Sequence, residues 1–464
     1  MGFSQNGKTR NQIKDIIKNG QNQKQGNIQL LHSLIVLSIP TVLEEALSTL
    51  LQYVDTAMVG RLGERATAAV SVTTTVNWLV SSIFLAVGVA VLAMISRAFG
   101  NRDEEQLRSF SKQTLLLATC CGILVGGAAI FLSPYIPIWM GAEKAVQKNA
   151  SSYFFIISLP MIFRAYTIIL GAAIRGTQNT RTPMLINMAA NGLNMILNYI
   201  FIYSLKLGVN GAAIASALSY TLCGLLMLRS YRKNHLLYWK WKEYTVDVSA
   251  LKECARIGLP VLGANMASCL GYVVFAGLVS GMGTTIFVAH SIAVTAETLF
   301  YIPGYGLRTS TSAMIGAALG EKNQRKMKQL GTLSVLLTIG LMCFSGLILY
   351  ISAYPLMCLF TNSRRVALLG AEMLRLVALS EPFFGLMVVL EGIFYGIAYT
   401  RYVFLVETFS MWGIRILFTF FCVRVWKLDL RAVWYCMIGD NVCKAVLFSM
   451  PFIIKRWKEK LFKG

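Results

Sequence analysis

The chain has 464 residues, 56% of them hydrophobic and only 14% charged, with 43 Lys and Arg against 21 Asp and Glu. A mean hydropathy of +0.59 excludes an ordinary soluble enzyme. The apolar residues come in runs of about 20, the length that crosses a bilayer core. No aromatic–basic pattern accompanies the positive charge, so nucleic acid is not expected as a partner and the lipid bilayer is.

Residues 1–32 are polar, basic and rich in Asn and Gln, without the apolar core of a cleavable signal. A disordered tail is expected there. The first hydrophobic segment follows, SIPTVLEEALSTLLQYVDTAMVGRLG from Ser38 to Gly63, and it carries three carboxylates: Glu44, Glu45 and Asp55. Glu44 and Asp55 are about three helical turns apart and share a face, with Ser48 and Gln52 between them. A carboxylate in a spanning helix costs about 3 kcal/mol to insert, so it points to function, above all for Asp55, which lies farther from the helix start than the two glutamates.

Twelve spans follow from hydropathy, centred near residues 47, 84, 125, 162, 194, 220, 268, 300, 341, 382, 412 and 442. The tails and the loops on the side of the termini hold most of the Lys and Arg, which places both termini in the cytoplasm.

A shift of 220 residues lays Ile39-Pro40 on Leu259-Pro260, Ala69 and Ser71 on Ala289 and Ser291, Gly100 on Gly320, and Gly176, Thr180 and Arg181 on Gly396, Thr400 and Arg401. Each half then has six spans, and because six is even the repeats are parallel. The expected fold is an all-α integral membrane protein, with twelve transmembrane helices in two pseudo-symmetric six-helix bundles around a central cleft. The lobes cover residues 33–231 and 257–455, joined by a cytoplasmic linker at 232–256 and followed by a basic tail at 456–464.

The halves differ chemically. Under the shift Asp55 meets Phe275, and Glu297 meets Asn77. In the fifth span Asn187, Asn191, Asn194 and Asn198 form one amide stripe. Two readings are open for it: hydrogen-bond glue between helices, or oxygen ligands and hydrogen-bond partners for a cation or a protonating acid. In the sixth span Gly208, Ala212 and Ser216 form a row of small residues suited to close packing, and Ser216 adds a hydroxyl. Glu297 either binds a cationic compound or is neutralised by Arg308, eleven residues on. Asp440 and Lys444, spaced i, i+4, are expected to pair. Arg415 is expected near the interface. Pro40, Pro160, Pro260, Pro303 and Pro382 are candidate kinks. The three His have no metal-ligand spacing, the ten Cys include no C-x-x-C, and there is no P-loop. Neither an enzyme nor direct ATP driving is expected, and no cofactor beyond a coupling ion.

The chain resembles the multidrug and toxic compound extrusion (MATE) transporters over essentially its whole length after the tail. The likeness rests on VDTAMVGRLG, ISRAFGNRDEEQ, GAAIRGTQNTRTPM, LNMILNYIFIY and GVNGAAIASALS, with IGLPVLGANMAS and AHSIAVTAETLFYIPGYGL in the second half. It implies secondary export of cationic amphipathic compounds, drugs or toxins, in exchange for Na⁺ or H⁺. It also implies a cation site of Asp55, Asn194, Asn198 and Ser216, with Gln52 nearby; Asp55, Asn194 and Asn198 would be the metal ligands if the ion is Na⁺. The sequence departs from some members at Asn198, Ser268, Tyr395 and Phe384, where they have an acid or, before the eleventh helix, an Arg; Glu381 and Glu391 flank Phe384. Candidate substrate-binding residues are Glu297, Asn77, Glu391 and Glu44. A monomeric exporter of the plasma (cell inner) membrane is expected. The alternative is a flippase for lipid-linked oligosaccharides or a related lipid precursor, which would line its cleft with Arg and Lys, whereas this chain carries uncompensated acids in its helices.

Overall fold

A computed structural model of the chain describes residues 5–240 and 244–454, the side chains of residues 5–25 excepted. Among the described residues the chain is helical, without strands. The first lobe consists of α1 (Gln5–Gly60), α2 (Glu64–Asn101), α3 (Glu104–Leu132), α4 (Lys144–Ser158, then Met161–Gly176), α5 (Arg181–Ser204) and α6 (Gly208–Lys233). The second consists of α7 (Val248–Ser280), α8 (Thr284–Gly320), α9 (Gln324–Phe360), α10 (Arg364–Ala378, then Glu381–Gly396), α11 (Thr400–Val425) and α12 (Leu430–Ile453). These are twelve spans when each bent pair counts as one. α1 begins at Gln5 and runs unbroken to Gly60, so the chain is helical over residues 5–32, where the sequence suggests an unstructured tail.

Equivalent turns mark the repeat. Left-handed backbone occurs at Gly63 and Gly283, at Arg102 and Lys322, and at Gln178 and Ala398, each pair 220 residues apart. The breaks in α4 and α10 also match, with bends of 59° and 56°. Pro160 lies in the first break and Pro382 just after the second, where a missing N–H and the ring disfavour a continuous helix. Pro40, Pro260 and Pro303 instead sit inside unbroken helices.

The register slips by one at the fifth helix of each lobe, since Lys206 pairs with Lys427. α11 contains a π-helical stretch at Ser410–Ile416, whereas α5 stays α-helical over Arg181–Asn198. A wider turn is how a helix absorbs one inserted residue without unwinding.

The lobes meet about a pseudo-twofold axis. α1 packs on α8 as α7 packs on α2, and α2 and α8 face each other at the axis. At the end of the molecule nearest the termini, two glycines make this contact as mates of the repeat. A Cβ on Gly100 would stand 1.9 Å from the Ala317 carbonyl oxygen, and one on Gly320 1.9 Å from that of Arg97. Ion pairing of Arg97 with Glu253 closes the same end.

The linker is docked rather than loose. Leu237 and Trp239 are buried, Ser111 donates to the Leu237 carbonyl (2.6 Å), and Gln113 donates to that of Thr245 (2.7 Å). Asp247 caps α7 by accepting from the Ser249 and Ala250 amides, and Ser109 of α3 donates to its other oxygen at 2.9 Å. The Ala250 amide, then the Ser109 hydroxyl, hold its carboxyl below the usual range. The cap's contribution is therefore present above the ordinary carboxylate pKa and lost as pH falls through the lowered value. Asp247→Ala should cost about 1 kcal/mol and speed proteolysis between Thr245 and Val248. Unchanged melting and cleavage would mean that the cap does not hold the linker.

Candidate functional site

α1 and α5 run parallel, and their polar stripes are in register. Asn187 donates to Glu44 (2.5 Å), Asn191 to Ser48 (3.2 Å) and Asn198 to Asp55, every pair separated by 143 residues. In the second lobe α7 and α11 begin with the same separation, where Thr400 donates to the Ile257 carbonyl at 2.8 Å. The amide stripe thus faces the carboxylate stripe over three turns. One polar seam runs through the first lobe.

At the far end of this seam Asp55 has only neutral partners. Asn194 satisfies its neighbours best with its nitrogen toward Asp55 Oδ1 (3.3 Å) and its oxygen toward the Ser216 amide (3.2 Å). The Ser216 hydroxyl is 3.4 Å from the same side-chain amide. Among the described residues no Lys or Arg pairs with Asp55. Asn198 is fully buried, and its Oδ1 has no donor. A buried acceptor left unsatisfied beside a carboxylate calls for an explanation. A proton on Asp55, or a cation bound to it, would supply one. Gln52 stands exposed on α1 and its side chain makes no hydrogen bond to this group.

At the near end the seam opens into a cavity of about 340 Å³ between the lobes. Glu44 is held there by Arg175 at 2.5 Å, and Arg308, at 3.0 Å, by Glu391, which also accepts from the Tyr395 hydroxyl at 2.5 Å. Glu45 shares the cavity and forms no ion pair among the described residues. The sequence pairs neither Glu44 nor Glu391, because each base arrives from a different helix.

The other substrate candidates do not join this cavity. Asn77 accepts from Arg164 at 3.1 Å, and that guanidinium also donates to Ser81 and lies 5.2 Å over the Tyr220 ring. Glu297 is 1% exposed inside the second lobe. Its hydrogen-bond partner is Tyr301, which stacks on Phe384 at 3.9 Å; Arg308 is turned to Glu391 instead. Glu381, also 1% exposed, has no hydrogen bond to either oxygen and feels the charge of Glu297. The sequence signal for Glu381 is its place next to Pro382 at the break in α10.

Deeper in the second lobe, Arg415 pairs with Asp440 at 2.8 Å and Lys444 with Glu407 at 2.8 Å, while Lys444 and Asp440 stand 3.5 Å apart. The pairing expected from the i, i+4 spacing is thus one edge of a four-charge network. Arg415 is 5% exposed and does not reach an interface. Asp440 holds it inside.

The MatE family model matches twice, at residues 40–200 and 260–421, repeating the offset of 220 at the start and 221 at the end. A probable multidrug resistance protein NorM from Thermotoga maritima is 24% identical over 443 residues, covering 93% of this chain and 94% of its own. A probable multidrug resistance protein YpnP from Bacillus subtilis is 25% identical over 453 residues, covering 94% and 98%. Among solved structures, the Vibrio cholerae MATE transporter VcmN superposes with a TM-score of 0.88 at 19% identity, covering 95% of this chain and all of that one. An outward-facing multidrug resistance MATE transporter of the MOP superfamily gives 0.88 at 22% identity, over 94% and 98%. Two matched lobes, twelve spans and the repeat that relates them make this chain a member of the MatE family of membrane transporters.

Proposed function

We propose that the chain is a secondary exporter that exchanges Na⁺ or H⁺ for cationic amphipathic organic compounds, with Asp55 as the coupling group. The observation that carries this reading is Asp55 itself: a carboxylate inside the first lobe, ringed by amides and a hydroxyl, beside the unsatisfied Asn198 oxygen. Such a shell tolerates both states. Amide nitrogens donate to the carboxylate, and amide oxygens accept from its protonated form or join it around Na⁺. Neutralising Asp55 removes the attraction that orients the Asn198 amide, so α1 and α5 can repack. Release of the ion restores it. A ligand moves such an equilibrium only through its different affinity for the two states, and an ion at Asp55 has that difference.

The flippase alternative needs free cations in the cleft. Arg175 and Arg308 are each engaged by a carboxylate, which favours the exporter. The test is efflux of a fluorescent cation from vesicles, driven in turn by a Na⁺ gradient and a pH gradient. Acceleration by either gradient supports the reading. Efflux indifferent to both removes it.

A further inference from the structure

The two lobes carry mated grooves at the end nearest the termini, and the linker fills the first. In the second lobe α9, α10 and α12 frame a groove of about 410 Å³, lined by Met327, Gly331, Val335, Leu390 and Phe452. A shift of 220 lays Met327, Gly331, Val335 and Leu390 on Leu107, Ser111, Leu115 and Leu170. The shift of 221 that holds later lays Phe452 on Tyr231. At the mated place the linker leaving α6 turns back into its lobe. Leu237 and Trp239, each 1% exposed, belong to one buried cluster with Leu107, Leu115, Leu170 and Tyr231. The Ser111 hydroxyl fixes this turn: it donates to the Leu237 carbonyl and stands beside the Tyr231 hydroxyl, both at 2.6 Å. Its mate Gly331 has no side chain. Among the described residues a Cβ on Gly331 would meet only Ile393, at an ordinary 3.6 Å.

We infer that Lys455–Gly464, the segment leaving α12, docks in this groove and straps the second lobe as the linker straps the first. The segment, KRWKEKLFKG, lies outside the described residues. α12 delivers it beside the groove, because Ser449, Phe452 and Ile453 of its last turns form one wall. Counting 221 back, Trp457 corresponds to Leu236, next to the buried Leu237. The composition fits as well. Trp457, Leu461 and Phe462 supply bulk for an apolar groove, and five Lys and Arg against the single Glu459 suit the polar side. That pattern belongs at a boundary between apolar surface and lipid headgroups. A phospholipid chain would also suit an apolar wall, but the mated groove holds protein chain, which favours the same occupant here. Docking at this place braces Glu381–Gly396, the half of α10 that follows the 56° bend and carries Glu391. The inference rests on the repeat and is independent of the exporter reading.

The test is photocrosslinking of the full chain in lipid nanodiscs, with p-benzoylphenylalanine in place of Trp457. Mass spectrometry should map the product to residues 327–336 of α9, 386–393 of α10 or 449–453 of α12. A second measurement keeps Trp457 and blocks the groove instead. Gly331→Phe puts a ring into it without meeting backbone, and Gly340→Phe is the control, because a Cβ there meets nothing within 4 Å. Trypsin should cut after Lys455 and Arg456 about tenfold faster in Gly331→Phe than in wild type, since a segment that cannot dock is open more often. Gly340→Phe should match wild type. Crosslinks to phospholipid, or to a second copy of the chain, would give the groove another occupant and overturn the assignment. Equal cleavage of wild type and Gly331→Phe would overturn it as well.

Discussion

Gly100→Val and Gly320→Val should each abolish transport by forcing α2 and α8 apart at the end nearest the termini. A Cβ at either position would lie 1.9 Å from a carbonyl oxygen of the other helix, and real Cβ atoms essentially never come within 3.0 Å. The obstacle is backbone, so no side-chain rotation relieves it. Overpacking of this kind costs about 2 kcal/mol, which changes the ratio of two access states roughly 30-fold. Gly100 and Gly320 are mates in the repeat, so the two variants should behave alike, and the double variant should be worse than either. Hydrogen exchange of the amides at 97–101 and 317–321 reads the contact directly. Exchange should speed up in both segments in either variant. Wild-type protection together with wild-type transport would show that these glycines are a packing convenience and not a gate.

Asp440→Asn should be the most destabilising single change of charge in the second lobe. Asp440 is fully buried, 2.8 Å from Arg415 and 3.5 Å from Lys444. Glu407, 2.8 Å from Lys444, remains to balance only one of the two cations. Stranding a buried charge costs about 3–5 kcal/mol, whereas an exposed pair such as Arg108 with Glu104 is worth well under 1 kcal/mol. Adding Arg415→Met should recover most of the loss, since it removes the stranded charge together with its partner. Thermal unfolding in detergent, followed by scanning fluorimetry, checks both variants. A single variant that melts with wild type would mean that water or a rearranged Glu407 reaches Arg415.

Much of the architecture was legible because it is periodic. Six spans per half survive, and the shift of 220 holds as matched turns and matched bends through the fourth helix of each lobe before slipping to 221, as the two family-model matches also show. The amide stripe was legible for the same reason: a helix repeats every 3.6 residues, so Asn187, Asn191 and Asn198 had to share a face. That this face meets Glu44, Ser48 and Asp55 in register is tertiary. Only the packing of α1 on α5 reveals it. What sequence hides is which charges meet across helices. Glu44 looks like a water-facing acid until Arg175 arrives from α4, and Arg308 looks like the partner of Glu297 until Glu391 arrives from α10. The four-charge network escapes for the same reason, since local spacing exposes only its weakest edge. The inserted residue in α11 leaves no composition signal at all; it shows in the π-helical turn that absorbs it.

Gradient-driven export by Asp55→Asn tests the central claim most directly. The variant keeps the shape of the carboxylate and its contact with Asn198, so it should fold, reach the membrane and still exchange labelled for unlabelled substrate across vesicles without a gradient. It loses only the group that a proton or Na⁺ can neutralise. Under an imposed Na⁺ or pH gradient wild type should accumulate substrate against its concentration difference, and Asp55→Asn should stop at equilibrium. Accumulation by Asp55→Asn at close to the wild-type rate would contradict the account and place the coupling group elsewhere in the chain.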